Sequence, residues 1–183
     1  MQLKSLAVFT LALLTGLGLG FNGKVYAAEK AAEKASGNPI EKAKLGKVAP
    51  DFSLAGFSLE DTVTLSALKG KVVLIDFWAS WCMPCRQLMP RIAELKSRFP
   101  DVEVVAISVD TDRDKALTFI RAVEPALRPV HDTAQKVAAL YKVDKMPSSF
   151  IVDRQGVLRF RHDGYSVKSL ASVERQLQLL LNE

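Results

Sequence analysis

The only two cysteines of this 183-residue chain, Cys82 and Cys85, stand two residues apart in the run Trp81-Cys82-Met83-Pro84-Cys85. The apolar stretch Val72-Val73-Leu74-Ile75-Asp76-Phe77-Trp78 before them predicts a buried central strand, and Met83 to about Phe99 after them predicts a helix. The pair therefore falls at a strand–helix junction. A helix start leaves backbone N–H groups unpaired and carries partial positive charge. A thiolate on Cys82 is stabilised there and ionises more easily, so Cys82 is the expected attacking sulfur. Pro84 suits the first helical turn, where its missing N–H costs nothing. Cys85, one turn inward, is expected to be less exposed. It would attack the mixed disulfide formed on Cys82 and release the substrate reduced.

Other uses of two sulfurs are weaker. A structural bridge closing so short a loop is worth only about 2 kcal/mol in loop-entropy terms, against about 4–5 kcal/mol for a long loop. Zinc wants about four ligands, and the chain adds only His131 and His162, distant in sequence and without ligand spacing. Both histidines read as surface or loop residues. Copper(I) handling or metal-site assembly is a competing function, because Cys82, Cys85, Met83 and Met146 offer soft sulfur, although methionines more often pack or dock. The expectation is no cofactor and no resident metal.

Asp76 interrupts an otherwise apolar strand six residues before Cys82. Burial disfavours the charged carboxylate and should raise its pKa. A solvent-facing edge position is the alternative. Around these residues the pattern predicts short strands at Phe52–Leu54 and Val63–Leu65 about a turn at Glu60-Asp61, and a second buried strand at Val102–Val109. Helices are predicted at Asp114–Val123, Thr133–Tyr141 and Val167–Leu181, and strands at Arg128–Val130, Ser149–Val152 and Val157–Arg161. Asp153-Arg154-Gln155-Gly156 is a good turn between the last two strands. Such alternation, then a hairpin and a final helix, implies an α/β fold with a mixed central sheet flanked by helices.

Residues 1–27 combine Lys4, an apolar stretch from Leu6 to Leu19 and the ending Val25-Tyr26-Ala27. This predicts a signal peptide cut after Ala27. An uncut membrane anchor is the alternative, though the stretch falls short of the ~18–20 residues of a span. Residues 28–47, rich in Ala, Lys and Glu, read as a flexible linker, and 48–183 as the folded domain. Either outcome takes the domain out of the cytosol, to where disulfides persist. The net charge of +5 is too mild and too scattered to argue for nucleic acid. A monomer is expected.

The segment VVLIDFWASWCMPCRQLMP, Val72 to Pro90, closely resembles the thioredoxin superfamily. The lead-in Ala49-Pro50-Asp51-Phe52-Ser53-Leu54, the stretch Leu65 to Lys71 and the later Tyr141 to Gly156 resemble its TlpA/ResA branch of bacterial periplasmic or membrane-tethered thiol–disulfide oxidoreductases. The resemblance implies a thioredoxin fold with an N-terminal β-hairpin and an insertion around Asp110 to Val130. It implies a cis peptide before Pro147, with Met146 offering backbone groups to an extended substrate, and a helix kink at Pro90. Trp81, Met83 and Pro84 would rim the substrate site, Trp78 would be core, and Asp76 would accept the proton of Cys85 through water. The chain departs from its branch in carrying Asp76 where Asn is common and Leu88 where Glu is common. The lysine that accompanies the acid in thioredoxins should fall near Ala106 and is absent.

The dipeptide Met83-Pro84 lacks a His that would over-stabilise the thiolate. Strong oxidants sit near about −120 mV and thioredoxin near about −270 mV, so reduction of disulfides in exported proteins is the expected direction. The family then implies a transmembrane thiol reductase as electron donor, and leaves a part in cytochrome c maturation open. A thiol peroxidase shares the Ala49-Pro50-Asp51-Phe52 type of lead-in, but its Pro-x-x-x-Thr/Ser-x-x-Cys setting is missing here.

Overall fold

Every residue from Val72 to Trp78 is buried, so both faces of that strand must be covered. The chain meets this demand with helices on one side and a hairpin with a short helix on the other. The computed structural model describes residues 43–57, 61–127 and 129–183. The predicted leader, most of the predicted linker, Glu60 of the predicted first turn and Arg128 of the predicted strand Arg128–Val130 lie outside the described residues.

In chain order the elements are β1 (Ser53–Ala55), β2 (Thr62–Thr64), a 3-10 turn (Leu65–Leu68), β3 (Val72–Trp78), α1 (Met83–Arg98), β4 (Val102–Ser108), α2 (Arg113–Val123), β5 (Pro129–His131), α3 (Lys136–Leu140), β6 (Ser148–Val152), β7 (Leu158–Asp163) and α4 (Val167–Leu181). β1 and β2 form a separate antiparallel hairpin. The five-stranded sheet runs β5-β4-β3-β6-β7. β3 pairs in parallel with β4, and β4 with β5, whereas β6 and β7 are antiparallel. The mixed sheet matches the expectation.

Side chains alternate across a strand, and the contacts of β3 identify its two faces. Trp78 stacks on Phe119 of α2, over which Arg86 of α1 sits. Arg98 of α1 reaches Glu174 of α4. The face carrying Leu74, Asp76 and Trp78 is thus the helix-covered one. Phe77 turns the other way, into a cluster with Phe52, Tyr141 and Phe150. The Tyr141 hydroxyl, within that cluster, donates to the Pro50 carbonyl at 2.8 Å.

Local signals explain where the elements stop. α1 buries Cys85, Leu88, Met89, Ile92 and Leu95 and continues through Pro90. Asp112 caps α2 by accepting from the N–H groups of Asp114 and Lys115. α3 is shorter than the predicted Thr133–Tyr141, because Gln135 adopts a left-handed φ of 53° and Asp132 accepts from the Lys136 and Ala138 amides just beyond it. The hairpin needs Gly56, since a Cβ there would lie 2.7 Å from that of Asp61.

The N-terminal stretch crosses the sheet. Gly46 N–H donates to the Leu158 carbonyl, Leu158 N–H to Lys47, and Val48 bridges Val157 on the outer side of β7. Eight residues after Val48, Gly56 bridges Val130 of β5, the strand at the opposite edge. Ala43 also donates to Leu140. Residues 43–47 therefore belong to the folded unit rather than to the linker in which their composition placed them, because backbone pairing needs no large side chains.

The Tyr141 cluster tests this packing. Tyr141→Phe should cost about 1 kcal/mol, one hydrogen bond, and Tyr141→Ala about 3–5 kcal/mol, as for other large aromatic truncations. Denaturant unfolding measures both; equal losses would separate Tyr141 from the core.

Candidate active site

The chain leaves β3 at Trp78, turns so that Cys82 N–H donates to the Ala79 carbonyl at 3.1 Å, and enters α1 at Met83. Cys82 is the N-cap of α1. Its backbone is extended (φ −86°, ψ 100°), and its Sγ accepts from the Cys85 amide at 3.2 Å. N-caps normally present oxygen to that amide; here a sulfur holds the position. Pro84 lies in the first turn, as its chemistry predicts.

Cys82 and Cys85 are joined in a disulfide, with Cα atoms 5.3 Å apart. Cys85 is wholly buried and Cys82 retains 4% exposure. The accessible part of Cys82 opens on a groove of about 500 Å³, lined also by Trp81, Met83, Pro84, Gln135 and Met146. Trp81 and Met83 are 67% and 69% exposed, unusually open for such apolar side chains. The Met146–Pro147 peptide is cis, as the resemblance implied. Asp144 and Lys145 place one charge of each sign on the groove wall.

Asp76 lies in the middle of β3 and is fully buried. Its partners in register are Ala106 on β4 and Ser149 on β6. Ser149 Oγ donates to Asp76 Oδ1 at 2.6 Å, while Oδ2 has no hydrogen-bond partner among the described residues. The methyl of Ala106 offers no positive charge on the other side. Burial pushes the Asp76 carboxyl up to about 7, opposed only by the Ser149 hydrogen bond.

A model of the AhpC/TSA family matches residues 45–161, well over half of the chain. The chain belongs to the AhpC/TSA family. Among its relatives, thioredoxin-like protein YneN of Bacillus subtilis is 36% identical over 138 residues, spanning 73% of this chain and 79% of that one. Thiol-disulfide oxidoreductase ResA of Oceanobacillus iheyensis is 36% identical over 118 residues, 62% of each chain. A solved structure from Chlorobium tepidum, assigned to the DsbE thiol:disulfide interchange proteins, superposes with a TM-score of 0.72 at 34% identity, covering 76% of this chain and 99% of its own. The exposed lipoprotein thioredoxin of Streptococcus pneumoniae gives a TM-score of 0.61 at 26% identity, over 69% of this chain and 99% of its own. Within this AhpC/TSA member, the thioredoxin fold and the paired cysteines make a thiol–disulfide oxidoreductase.

The structure thus gathers Cys82, Trp81, Met83, Pro84 and Met146 about one groove, sets Pro147 directly after Met146, and keeps Cys85 and Asp76 beneath the surface. Two histidine readings need correction. His131 is 7% exposed and stacks on Phe57, and His162 is half-buried in β7, bonded to Gln176 at 2.7 Å. Each ends up where a strand carries it inward. Sequence reading also missed Ser149 and Gln135. Ser149 meets Asp76 only through strand pairing 73 residues apart, and no local pattern announces that. Among the described residues, no three His, Cys, Asp or Glu side chains cluster as metal ligands.

The buried carboxyl makes stability depend on pH. Its ordinary value of 3.8 is raised to about 7 on folding, so the folded state holds the proton more tightly. Stability must then fall as pH climbs from about 4 to about 7 and level off above. Asp76→Asn should remove that slope. Its advantage over the parent should grow across this interval to about 3–4 kcal/mol, on a pH-independent offset from the altered Ser149 bond. Chemical unfolding between pH 4 and 8.5 measures it; parallel curves would place the Asp76 charge in solvent.

Proposed function

We propose that this thiol–disulfide oxidoreductase works as a reductase of disulfides in exported proteins. The observation that carries the reading is the Cys82 sulfur seated as the cap of α1 and opening on the groove, with Cys85 buried behind it. Aligned amides at a helix start favour negative charge, so in the reduced protein Cys82 supplies the thiolate. Without a His between the cysteines that thiolate is not over-stabilised, which favours the reducing end of the potential range.

The exchange then runs in two steps. Cys82 thiolate attacks one sulfur of a substrate disulfide; the Cys82–substrate bond forms, the substrate S–S bond breaks, and the released thiolate takes up a proton. Cys85 then gives up its proton and attacks Cys82 Sγ. The Cys82–Cys85 bond forms, the Cys82–substrate bond breaks, the second substrate sulfur leaves as a thiolate that takes up a proton, and two electrons have passed to the substrate. Asp76 is the proposed acceptor of the Cys85 proton, through water. The support is its burial on the face of β3 that α1 covers and a carboxyl poised near neutrality. Trp81, Met83, Pro84, Met146 and Pro147 are the proposed docking surface, supported by the groove they share with, or border beside, Cys82.

Return to the dithiol needs a reductant outside the cytosol, and a transmembrane thiol reductase is the proposed donor. Export itself is supported by the leader-like residues 1–27, with a proposed cut after Ala27, and by the likeness to the exposed lipoprotein thioredoxin of Streptococcus pneumoniae. A periplasmic monomer, tethered only if the leader is retained, completes the proposal.

Three measurements test it. Cys85→Ser should trap substrates as mixed disulfides on Cys82, whereas Cys82→Ser should trap none; capture by Cys85 instead would invert the assignment. Asp76→Asn should slow reduction of a small disulfide several-fold above about pH 7, where the parent carboxylate is ionised, and little below it; equal rates at every pH would remove Asp76 from the proton path. Equilibration with glutathione should give a potential nearer about −270 than about −120 mV; a value at the oxidising end would reverse the direction of electron flow.

A further inference from the structure

The loop between β3 and α1 is held from outside by one buried acid. Asp110, two residues beyond the end of β4, is 4% exposed. Its Oδ2 accepts from the Ser80 amide at 2.8 Å and its Oδ1 from the Ser80 hydroxyl at 2.7 Å. The Ser108 hydroxyl also donates to Oδ2, at 3.1 Å. No salt bridge to Asp110 occurs among the described residues, so hydrogen bonds alone compensate the burial of this charge. Two of the three come from a single residue, Ser80, which immediately precedes Trp81 and Cys82.

Asp110 is itself fixed. Its amide donates to Ser108 Oγ at 3.2 Å. Its carbonyl lies 2.6 Å from His131 Nε2. A carbonyl has no proton to give, so His131 carries its hydrogen on Nε2 and accepts from the Thr133 hydroxyl on Nδ1, at 3.1 Å. His131 in turn stacks on Phe57, whose carbonyl, like that of Gly56, accepts from Arg113. The acid is thus the point where the inserted α2–β5 segment and the N-terminal hairpin are joined to the redox loop.

We propose that Asp110 is a positioning residue for disulfide exchange: through Ser80 it fixes the loop that seats the Cys82 sulfur against the first amides of α1. The inference rests on the exchange reaction proposed above and adds a residue to it. Burying a carboxylate costs several kcal/mol, and a neutral side chain would fill the same space. A charged acceptor with two oxygens grips both donors of Ser80, with charge-assisted bonds stronger than neutral ones.

The two ways in which Asp110 could influence Cys82 have opposite signs. A negative charge acting at a distance disfavours the thiolate, so its removal would lower the titration midpoint of Cys82. Loss of the grip lets the sulfur drift from the helix start, where charge–dipole effects are worth roughly 0.3–1 kcal/mol, and raises the midpoint. The other charged groups around the pair are Asp76 on β3, Arg86 on α1, Asp132 beyond β5, and Asp144 and Lys145 across the groove. They are the same in every variant, Asp76 titrating within the scanned range in all of them, so the comparison is of midpoints between variants.

The experiment follows iodoacetamide alkylation of Cys82 from pH 4 to 10 in the full chain carrying Cys85→Ser, alone and with Ser80→Gly, Ser80→Thr or Asp110→Asn. Ser80→Gly keeps the carboxylate and its bond to the amide in a half-exposed loop, so it reports even if Asp110→Asn folds poorly. Both Ser80→Gly and Asp110→Asn should raise the midpoint by about half a pH unit, about a threefold loss of rate below it. Ser80→Thr, which retains both donors, should restore the parent profile. Midpoints unchanged while only thermal stability falls would reduce Asp110 to a structural residue and overturn the proposal. A midpoint lowered by Asp110→Asn and unmoved by Ser80→Gly would overturn it too, making Asp110 a remote charge. The exchange reading fails separately, in the Cys85→Ser parent itself, should Cys82 prove inert near neutral pH.

Discussion

A sulfur atom caps α1, and the rest of the site is arranged around that contact. The Cys85 amide donates to Cys82 Sγ, the bond that an N-cap oxygen would otherwise accept. For this to happen, a strand must deliver the chain to the helix start at one height and angle. β3 does so because it is buried along its whole length between two partner strands, and a strand so enclosed cannot slip register without turning its apolar residues outward. The same enclosure places the Cys82 sulfur a short loop beyond the end of the central strand while leaving its outer side on an open groove.

Asp76 shows what that enclosure costs. A carboxyl in the middle of the central strand has one hydrogen-bond donor among the described residues, from Ser149, and Ala106 rather than a cation as its register partner on β4. Burial raises its pKa to about 7 against the pull of the Ser149 hydrogen bond, a condition that penalises the ionised form in the folded protein. Ser149 follows Pro147 by two residues, so the strand entered just after the groove residue Met146 also carries the hydroxyl that bonds the acid. The two halves of the site are linked through the sheet rather than across the surface.

Much of this was legible in the sequence because it is local. The Cys-x-x-Cys pair between an apolar run and an amphipathic stretch specified the strand, the helix and the cap. Asp76 drew notice because it breaks a pattern, and its burial follows from its neighbours in the chain. What escaped notice depends on pairing across distance. Ser149 reads only as the first residue of a predicted strand until β6 is laid beside β3. His131 reads as a loop residue until β5 carries it inward against Phe57, and Asp110 as a strand-end acid until Ser80 is seen beneath it. Residues 43–47 looked like linker because their composition has little to bury, yet edge pairing asks only for backbone.

That edge pairing settles how the sheet is bordered. An unpaired outer strand is a template for another chain, and sheet proteins must blunt it. Here one continuous stretch covers part of both borders, with Gly46 to Val48 paired at the start of β7 and Gly56 bridged to Val130 of β5. β7 adds alternating charge through Arg159, Arg161 and Asp163, and β5 opens with a proline. Strand addition by another chain is thereby blocked where these anchors lie, at Leu158 on one margin and Val130 on the other.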